Sequence, residues 1–468
     1  MHKRILVADR GLGAYRVFEA ILNLRGQGAD ISATLIHSDY DSQTLPVIYA
    51  KKSERDNTIN FGLGDSNFGN IGLDRILEIS GKYNIGAIHP GYSHLATDIN
   101  FSSMATIGNI DFVGPYPRII TLADDRLEMK KEMALAGLNT IPGSLELIDS
   151  LEKAVSSSEV LGFPVSLQTR YKRDSTAKFV FNGPDELKEF FDYTVKSHNL
   201  SEIIKYKLIE RGFVIEKHLE NPLNYFEIQA LGDNPDIHGN LITFPLRECT
   251  IKSGGVSLIS ESPSPNSSYF TKGIESQAFN LLRKIKFSST GSVKFVRIGE
   301  EVYAVGLSPY LQCGHQLSEE ITGIDLVAEQ IKIAANMGLS YKQEGVSISG
   351  HSIQCRILAK DSSQVGKYVV YHDPKLDSAR YETIIPGIHK RNQSFSLSSF
   401  YDLTLGVVTA KAPSRGECVE QMQKALGKLK LTGIETNIPL LLSVLNTEDF
   451  RSGTYDSNLV QRTLANIK

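Results

Sequence analysis

The chain lacks several features that would place it in a special class. Its four cysteines, Cys249, Cys313, Cys355 and Cys418, are far apart and form no CxxC pair. That spacing excludes a zinc ribbon and a disulfide framework and is what a reducing cytoplasm leads one to expect. Cys313 and His315 make a C-x-H pair, but two ligands are too few for a metal site. Charge of one sign is not in excess: 50 Lys and Arg face 53 Asp and Glu, so neither nucleic acid nor an anionic membrane is expected as a partner. No apolar run is long enough to span a bilayer, and the run Ile5 to Ala8 is too short for a signal peptide. Internal repeats and low-complexity linkers are missing too. What remains is a chain of 468 residues, 41% hydrophobic and 22% charged, which predicts an ordinary globular protein of two or three domains.

Two local absences matter as much. Arg4 to Ala8, Asp9-Arg-Gly-Leu-Gly-Ala14, a helix from about Tyr15 to Arg25 and a strand Ile31 to His37 predict a βαβ opening. It is no dinucleotide fingerprint, because the third glycine of GxGxxG falls on Arg16. Further on, the loop Thr169-Arg-Tyr-Lys-Arg-Asp-Ser-Thr176 contains no glycine. Such a loop cannot cradle phosphates with main-chain N–H groups, which need positive φ and no intervening side chains. Its cations, with Lys178 and Lys294, can attract an anion only through side chains.

The stretch around which the chain is organised runs from Gly291 to Gly323. Ser292 to Arg297 and Glu301 to Leu307 alternate apolar and polar residues around a Gly-Glu-Glu turn, predicting an antiparallel hairpin. A loop through Gly314-His315 is expected next. Thr322-Gly-Ile-Asp325 has capping-box spacing before Leu326, Val327, Gln330, Ile331 and Ala334, which recur at helical intervals.

This stretch resembles the biotin carboxylases, a family of ATP-grasp ligases, and the resemblance extends over essentially the whole chain. It is carried by Asp9 to Ala14, His89-Pro-Gly-Tyr92, Phe112-Val-Gly-Pro115, Asp125-Arg126, Pro142-Gly143, Gly162-Phe-Pro-Val165, Ile215-Glu-Lys-His-Leu-Glu-Asn-Pro222, Arg247-Glu-Cys249 and Glu261-Ser-Pro-Ser-Pro265. Gly350-His-Ser-Ile-Gln-Cys-Arg356, Tyr401-Asp402 and Gly433-Ile-Glu-Thr-Asn437 continue it, with a shortened loop at Gln364-Val-Gly366. The fold implied is α/β: a Rossmann-like N-terminal domain over 1–115, an ATP-grasp domain over 116–335 with its lid about 141–214, and a β-rich C-terminal domain over 336–468. By the same resemblance Arg126, Glu216, Lys217 and Leu219 stand at nucleotide-binding positions, Arg126 in place of a phosphate-contacting lysine.

The departures fall on the chemistry. Lys294, Gly306 and Ser308 stand where the resemblance expects two metal-binding glutamates and an asparagine. Tyr310 stands for an arginine and Gly314 for a glutamate that handle bicarbonate, and Ser257 for a lysine at the bicarbonate and biotin site; Gln168 replaces a nucleotide-binding lysine. Gln312, His315 and Arg356 match. A lysine about 5 Å from Mg2+ at an effective dielectric of ~20 is repelled by roughly 7 kcal/mol. The expectation is therefore ATP or ADP as ligand, no Mg2+ site and no covalent biotin. It describes a biotin carboxylase-like pseudoenzyme acting beside an active biotin carboxylase, a biotin carrier protein or a carboxyltransferase, dimeric by family habit. The alternatives are a divergent ATP-grasp ligase with residual activity and a metal-independent nucleotide sensor.

Overall fold

The computed structural model describes residues 4–62, 73–174, 178–196, 211–269, 273–361, 368–372, 376, 379–386, 395–396 and 403–467. Tyr401, Asp402 and the segment 364–366 lie outside them.

At the N-terminus β1 (Arg4–Val7), β2 (Ser32–His37), β3 (Asn57–Asn60), β4 (Ala87–His89) and β5 (Asp111–Phe112) form a parallel sheet in the order β3-β2-β1-β4-β5. Strands covered on both faces read as continuous apolar runs, and Ile5, Leu6 and Val7 are fully buried. The first helix is Gly11–Gly26, starting four residues before the expected Tyr15. Gly11 has φ 61°, and a Cβ at Gly13 would fall on the Asp9 carboxylate. The glycines thus turn the chain from strand into helix while Asp9 accepts from the Tyr92 N–H at 2.7 Å.

The lid is a three-stranded sheet of β6 (Val165–Thr169), β7 (Phe179–Phe181) and β8 (Phe213–Lys217), with β6 central. Phe181, Phe191 and Phe213 are buried in its own core with Val165 and Leu167. The main sheet takes β9 (Asn224–Gly232), β10 (Leu241–Thr243), β11 (Arg247–Ser253), β12 (Val256–Ser262), β13 (Ser289–Ile298) and β14 (Glu301–Ser308). It continues into C-terminal strands. With β15 (His351–Leu358), β16 (Tyr368–His372), β17 (Ala379–Thr383), β18 (Phe395–Ser396), β19 (Thr404–Ala412) and β20 (Lys430–Thr432), the path runs β14-β13-β9-β11-β12-β15-β19-β17, while β10 pairs with β9 and β16 pairs with β18 and β20. The joint is β12 to β15, where Ile259 faces Cys355 and Glu261 faces Ile353.

Two details around the hairpin differ from the sequence reading. Gly314-His315 opens a helix, His315–Thr322, instead of a loop. The next helix, Leu326–Ala334, is capped by Asp325, whose side chain accepts from Ala328 N–H, while the Thr322 hydroxyl donates back to Ser318 O at 2.6 Å. Asp325 wins because its carboxylate sits at the positive end of the helix and also receives Arg16 at 2.6 Å.

Candidate active site

The lid sheet and the hairpin enclose two cavities that meet. The first, about 350 Å3, is lined by Lys130, Gln168, Lys178 and Glu216 together with Val214 and Ala304. Pairing of Ser166 with Glu216 across β6 and β8 sets the carboxylate in place, and Lys130 Nζ meets its Oε1 at 2.7 Å. Gly143 allows this: a Cβ there would lie 2.5 Å from both Lys130 Nζ and Ile215 O. Arg126 also lines this cavity and donates to Thr169 O at 2.7 Å. Lys217 does not, since its ammonium turns to the carbonyls of Gly162 and Phe163 at 2.9 and 3.0 Å. Leu219 is absent from the lining as well.

The second cavity, about 540 Å3, is bounded by Asp124, Arg173, Lys294, Leu307, Ser308 and Tyr310. Lys172, Val305 and Gly306 line both cavities and form the junction. Lys294 lies 4.0 Å from Glu227 Oε1 and is 37% exposed. Burial works against ionisation of Glu227, but Arg247 and then Lys294 outweigh it and hold the carboxyl below its usual range. The third cavity is small, about 80 Å3, and is lined by Glu227, Arg247, Ser257, Gln312, Gly314 and Arg356 among others. Arg247 is buried and ion-paired with Glu227. A Cβ on Gly314 would stand 3.1 Å from the Arg247 guanidinium carbon, so the missing side chain leaves room for that cation.

The loop without glycine is fastened by its side chains. Arg170 pairs with Asp125 at 2.7 Å, Arg173 pairs with Asp124, and the Lys172 N–H donates to Asp124 O at 3.0 Å. The Tyr171 ring lies 5.1, 4.4 and 5.5 Å from the guanidinium groups of Arg170, Arg173 and Arg211, close enough for cation–π attraction. Lys172 and Arg247 were not singled out as site residues by sequence reasoning. What could have found them is the coincidence of a basic residue with a glycine that replaces an expected carboxylate.

His315 is buried, its Nδ1 2.9 Å from Gln312 O. Burial pulls it down to about 4, which leaves a neutral ring. Among the described residues no group of three or more His, Cys, Asp or Glu is placed to hold a metal ion, and no helix is long and apolar enough to cross a membrane.

Three sequence profiles divide the chain between them: the biotin carboxylase N-terminal domain over residues 1–120, the carbamoyl-phosphate synthase L chain ATP-binding domain over 125–342, and the biotin carboxylase C-terminal domain over 354–462. The chain belongs to the biotin carboxylase family of ATP-grasp proteins. Biotin carboxylase 1 of Bacillus subtilis is 29% identical over 474 residues, covering 98% of each chain. The pyruvate carboxylase of Staphylococcus aureus is 27% identical over 98% of this chain, which spans only 39% of that protein's length. Among solved structures, the biotin carboxylase domain dimer of Hydrogenobacter thermophilus 2-oxoglutarate carboxylase superposes with a TM-score of 0.82 at 27% identity, covering 100% of this chain and 99% of that one. It was solved in complex with MgADP, ADP and bicarbonate. The fold is thus ATP-grasp with a Rossmann-like N-terminal domain and a β-rich C-terminal part.

That MgADP complex overturns the expectation that no Mg2+ site is built. The physical reason lies in how Mg2+ is held, since it keeps several waters and takes much of its coordination from the phosphates themselves. Lys294 and Gly306 remove carboxylates, and Ser308 an amide, without removing the oxygens that a nucleotide brings. Glu227, 4.0 Å from Lys294, also tempers the positive charge of that lysine. The Ser308 hydroxyl is an oxygen that faces the second cavity beside such an ion's phosphates, while the Glu227 carboxylate is engaged by Arg247.

Proposed function

We propose that this chain is a divergent ATP-grasp ligase of the biotin carboxylase type, which takes an adenine nucleotide with its Mg2+ in the cleft between lid and hairpin. The observation that carries this reading is the continuous cavity from the Lys130–Glu216 pair, through Lys172 and Gly306, to Lys294 and Ser308. Its first part suits a purine, with Glu216 fixed in orientation by Lys130. Its second part suits phosphates, with cations on both sides. When bound, Mg2+ supplies charge neutralisation for phosphoryl transfer. Ser308 would hold it together with the phosphates and water, while Arg247 and Arg356 offer positive charge to a small anion in the third cavity.

A second reading, a subunit that binds without turnover, is favoured by one specific feature. Glu227 is the carboxylate lining the third cavity, and Arg247 keeps it ionised and engaged, so a general base at that spot is already spoken for. Such a subunit would partner a biotin carboxylase, a biotin carrier protein or a carboxyltransferase. Release of ADP from MgATP, measured with and without bicarbonate and free biotin, separates the two. Stimulation by biotin supports the ligase, whereas nucleotide binding without stimulated release supports the non-catalytic subunit.

A further inference from the structure

We infer that Lys172 and Lys294 form a two-lysine seat for the terminal phosphates of a nucleoside di- or triphosphate, built where Gly306 leaves space on β14. The inference rests on the nucleotide reading above and deepens it by assigning the phosphate contacts to a loop residue and a strand residue.

Four observations converge on the seat. Lys172 lies at the junction of the two larger cavities, and Lys294 lines the second of them. A Cβ on Gly306 would meet Lys172 Nζ at 3.5 Å, and Gly306 has φ 152°. A side chain there would be strained by the backbone and would sit in contact with the ammonium, so the glycine keeps the space beside the lysine open. Lys172 is also aimed by its surroundings: its Nζ donates to Ala123 O, and its backbone is tied to Asp124 O at 3.0 Å.

Charge balance supplies the fourth. Lys172 is partly buried and makes no ion pair among the described residues. The groups facing it are Arg126 at the start of the helix Arg126–Leu135, Lys294 on β13, its loop neighbour Arg173, and Asp124. Asp124 is already paired with Arg173. Burial first, then Arg126 and Lys294, pull the Lys172 ammonium down to about 8, against Asp124. The junction is short of negative charge, and a polyphosphate supplies it. An ammonium on a flexible stem suits this, since lysine binds phosphate as a point charge without requiring a planar match.

The test is calorimetric titration of the full chain with ADP and, separately, adenosine, at fixed salt and Mg2+. The wild type should bind ADP at least 100-fold more tightly than adenosine. Lys172→Met and Lys294→Met should each weaken ADP at least tenfold while leaving adenosine within about twofold. Should Lys172→Met fail to fold, Lys172→Gln gives the same readout, because it removes the charge and keeps a donor for Ala123 O. Equal affinity for ADP and adenosine, or lysine variants that hold ADP like the wild type, would overturn the seat and leave the nucleotide reading standing. A wild type that binds neither compound overturns both.

Discussion

Replacing Arg16 by Met tests how the N-terminal domain is fixed to the hairpin region. Arg16 is 2% exposed, and its Nη2 lies 2.7 Å from Glu319 Oε1 and 2.6 Å from Asp325 Oδ1. It reaches from the helix Gly11–Gly26 to the two helices that follow the hairpin. The two carboxylates lose different amounts when it goes. Asp325 is 30% exposed and keeps its bond from Ala328 N–H at 2.8 Å, so water takes over most of its share. Glu319 is 9% exposed and keeps the Leu326 N–H at 2.8 Å, but it loses its guanidinium partner. Breaking a buried pair from one side costs about 3–5 kcal/mol. With Met retaining the apolar stem, the expected loss is near the lower end, about 3 kcal/mol. Urea unfolding should be followed by a probe in the N-terminal sheet, because a chain of several domains need not unfold in one step. If an uncompensated carboxylate is what costs, Glu319→Gln in the Arg16→Met background should restore at least half of the loss. A loss below about 1 kcal/mol, or a double variant whose losses simply add, would refute the reasoning.

Glu248 predicts a pH dependence of stability. Burial pushes its carboxyl up to about 7, against hydrogen bonds from Thr250, Ser264 and Asn266. The folded state therefore holds a proton that the unfolded chain releases at ordinary carboxylate pH. The stability this proton contributes is present at low pH and is lost as pH rises from about 4.5 to about 7, amounting to at most about 3 kcal/mol. Glu248→Gln should flatten the fall in urea midpoint between pH 5 and pH 8, and an unchanged slope would count against it. Gly314→Glu should destabilise the fold by about 1–3 kcal/mol in thermal melts, since a Cβ there already stands 3.1 Å from the Arg247 guanidinium carbon and the larger side chain must displace a buried ion pair; an unaltered melt would mean that Arg247 has room to move.

What could be read from the sequence followed from locality. The hairpin β13 and β14 was legible because its two strands are neighbours with a clear period of two. The helix Leu326–Ala334 was legible from its apolar intervals, but its cap was misplaced, since Thr322 and Asp325 both have capping chemistry and only the fold brings Arg16 to the second. The helix His315–Thr322 was hidden by the glycine just ahead of it, Gly314, and it has no side-chain cap to announce it. The pairing of β12 with β15 joins residues about 90 positions apart, for example His351 with Glu261 at 2.7 Å, and no local pattern specifies such a partner. The site was legible as a set of substitutions and not as an arrangement. Lys294, Gly306 and Gly314 stood out, yet nothing in their spacing tells that Lys172 lies beside Gly306 and Arg247 beside Gly314. Reading the replacements one at a time led to the expectation of no Mg2+, which weighed the lost carboxylates and the charge of Lys294 above the oxygens carried by the nucleotide.

The most direct test of the central claim is binding of ADP to the purified chain, with and without Mg2+, followed by calorimetry. The account predicts saturable binding at one site, strengthened by Mg2+ and weakened by Lys130→Met, which frees the Glu216 carboxylate from the partner that orients it at 2.7 Å. Absence of saturable binding in either condition would contradict it.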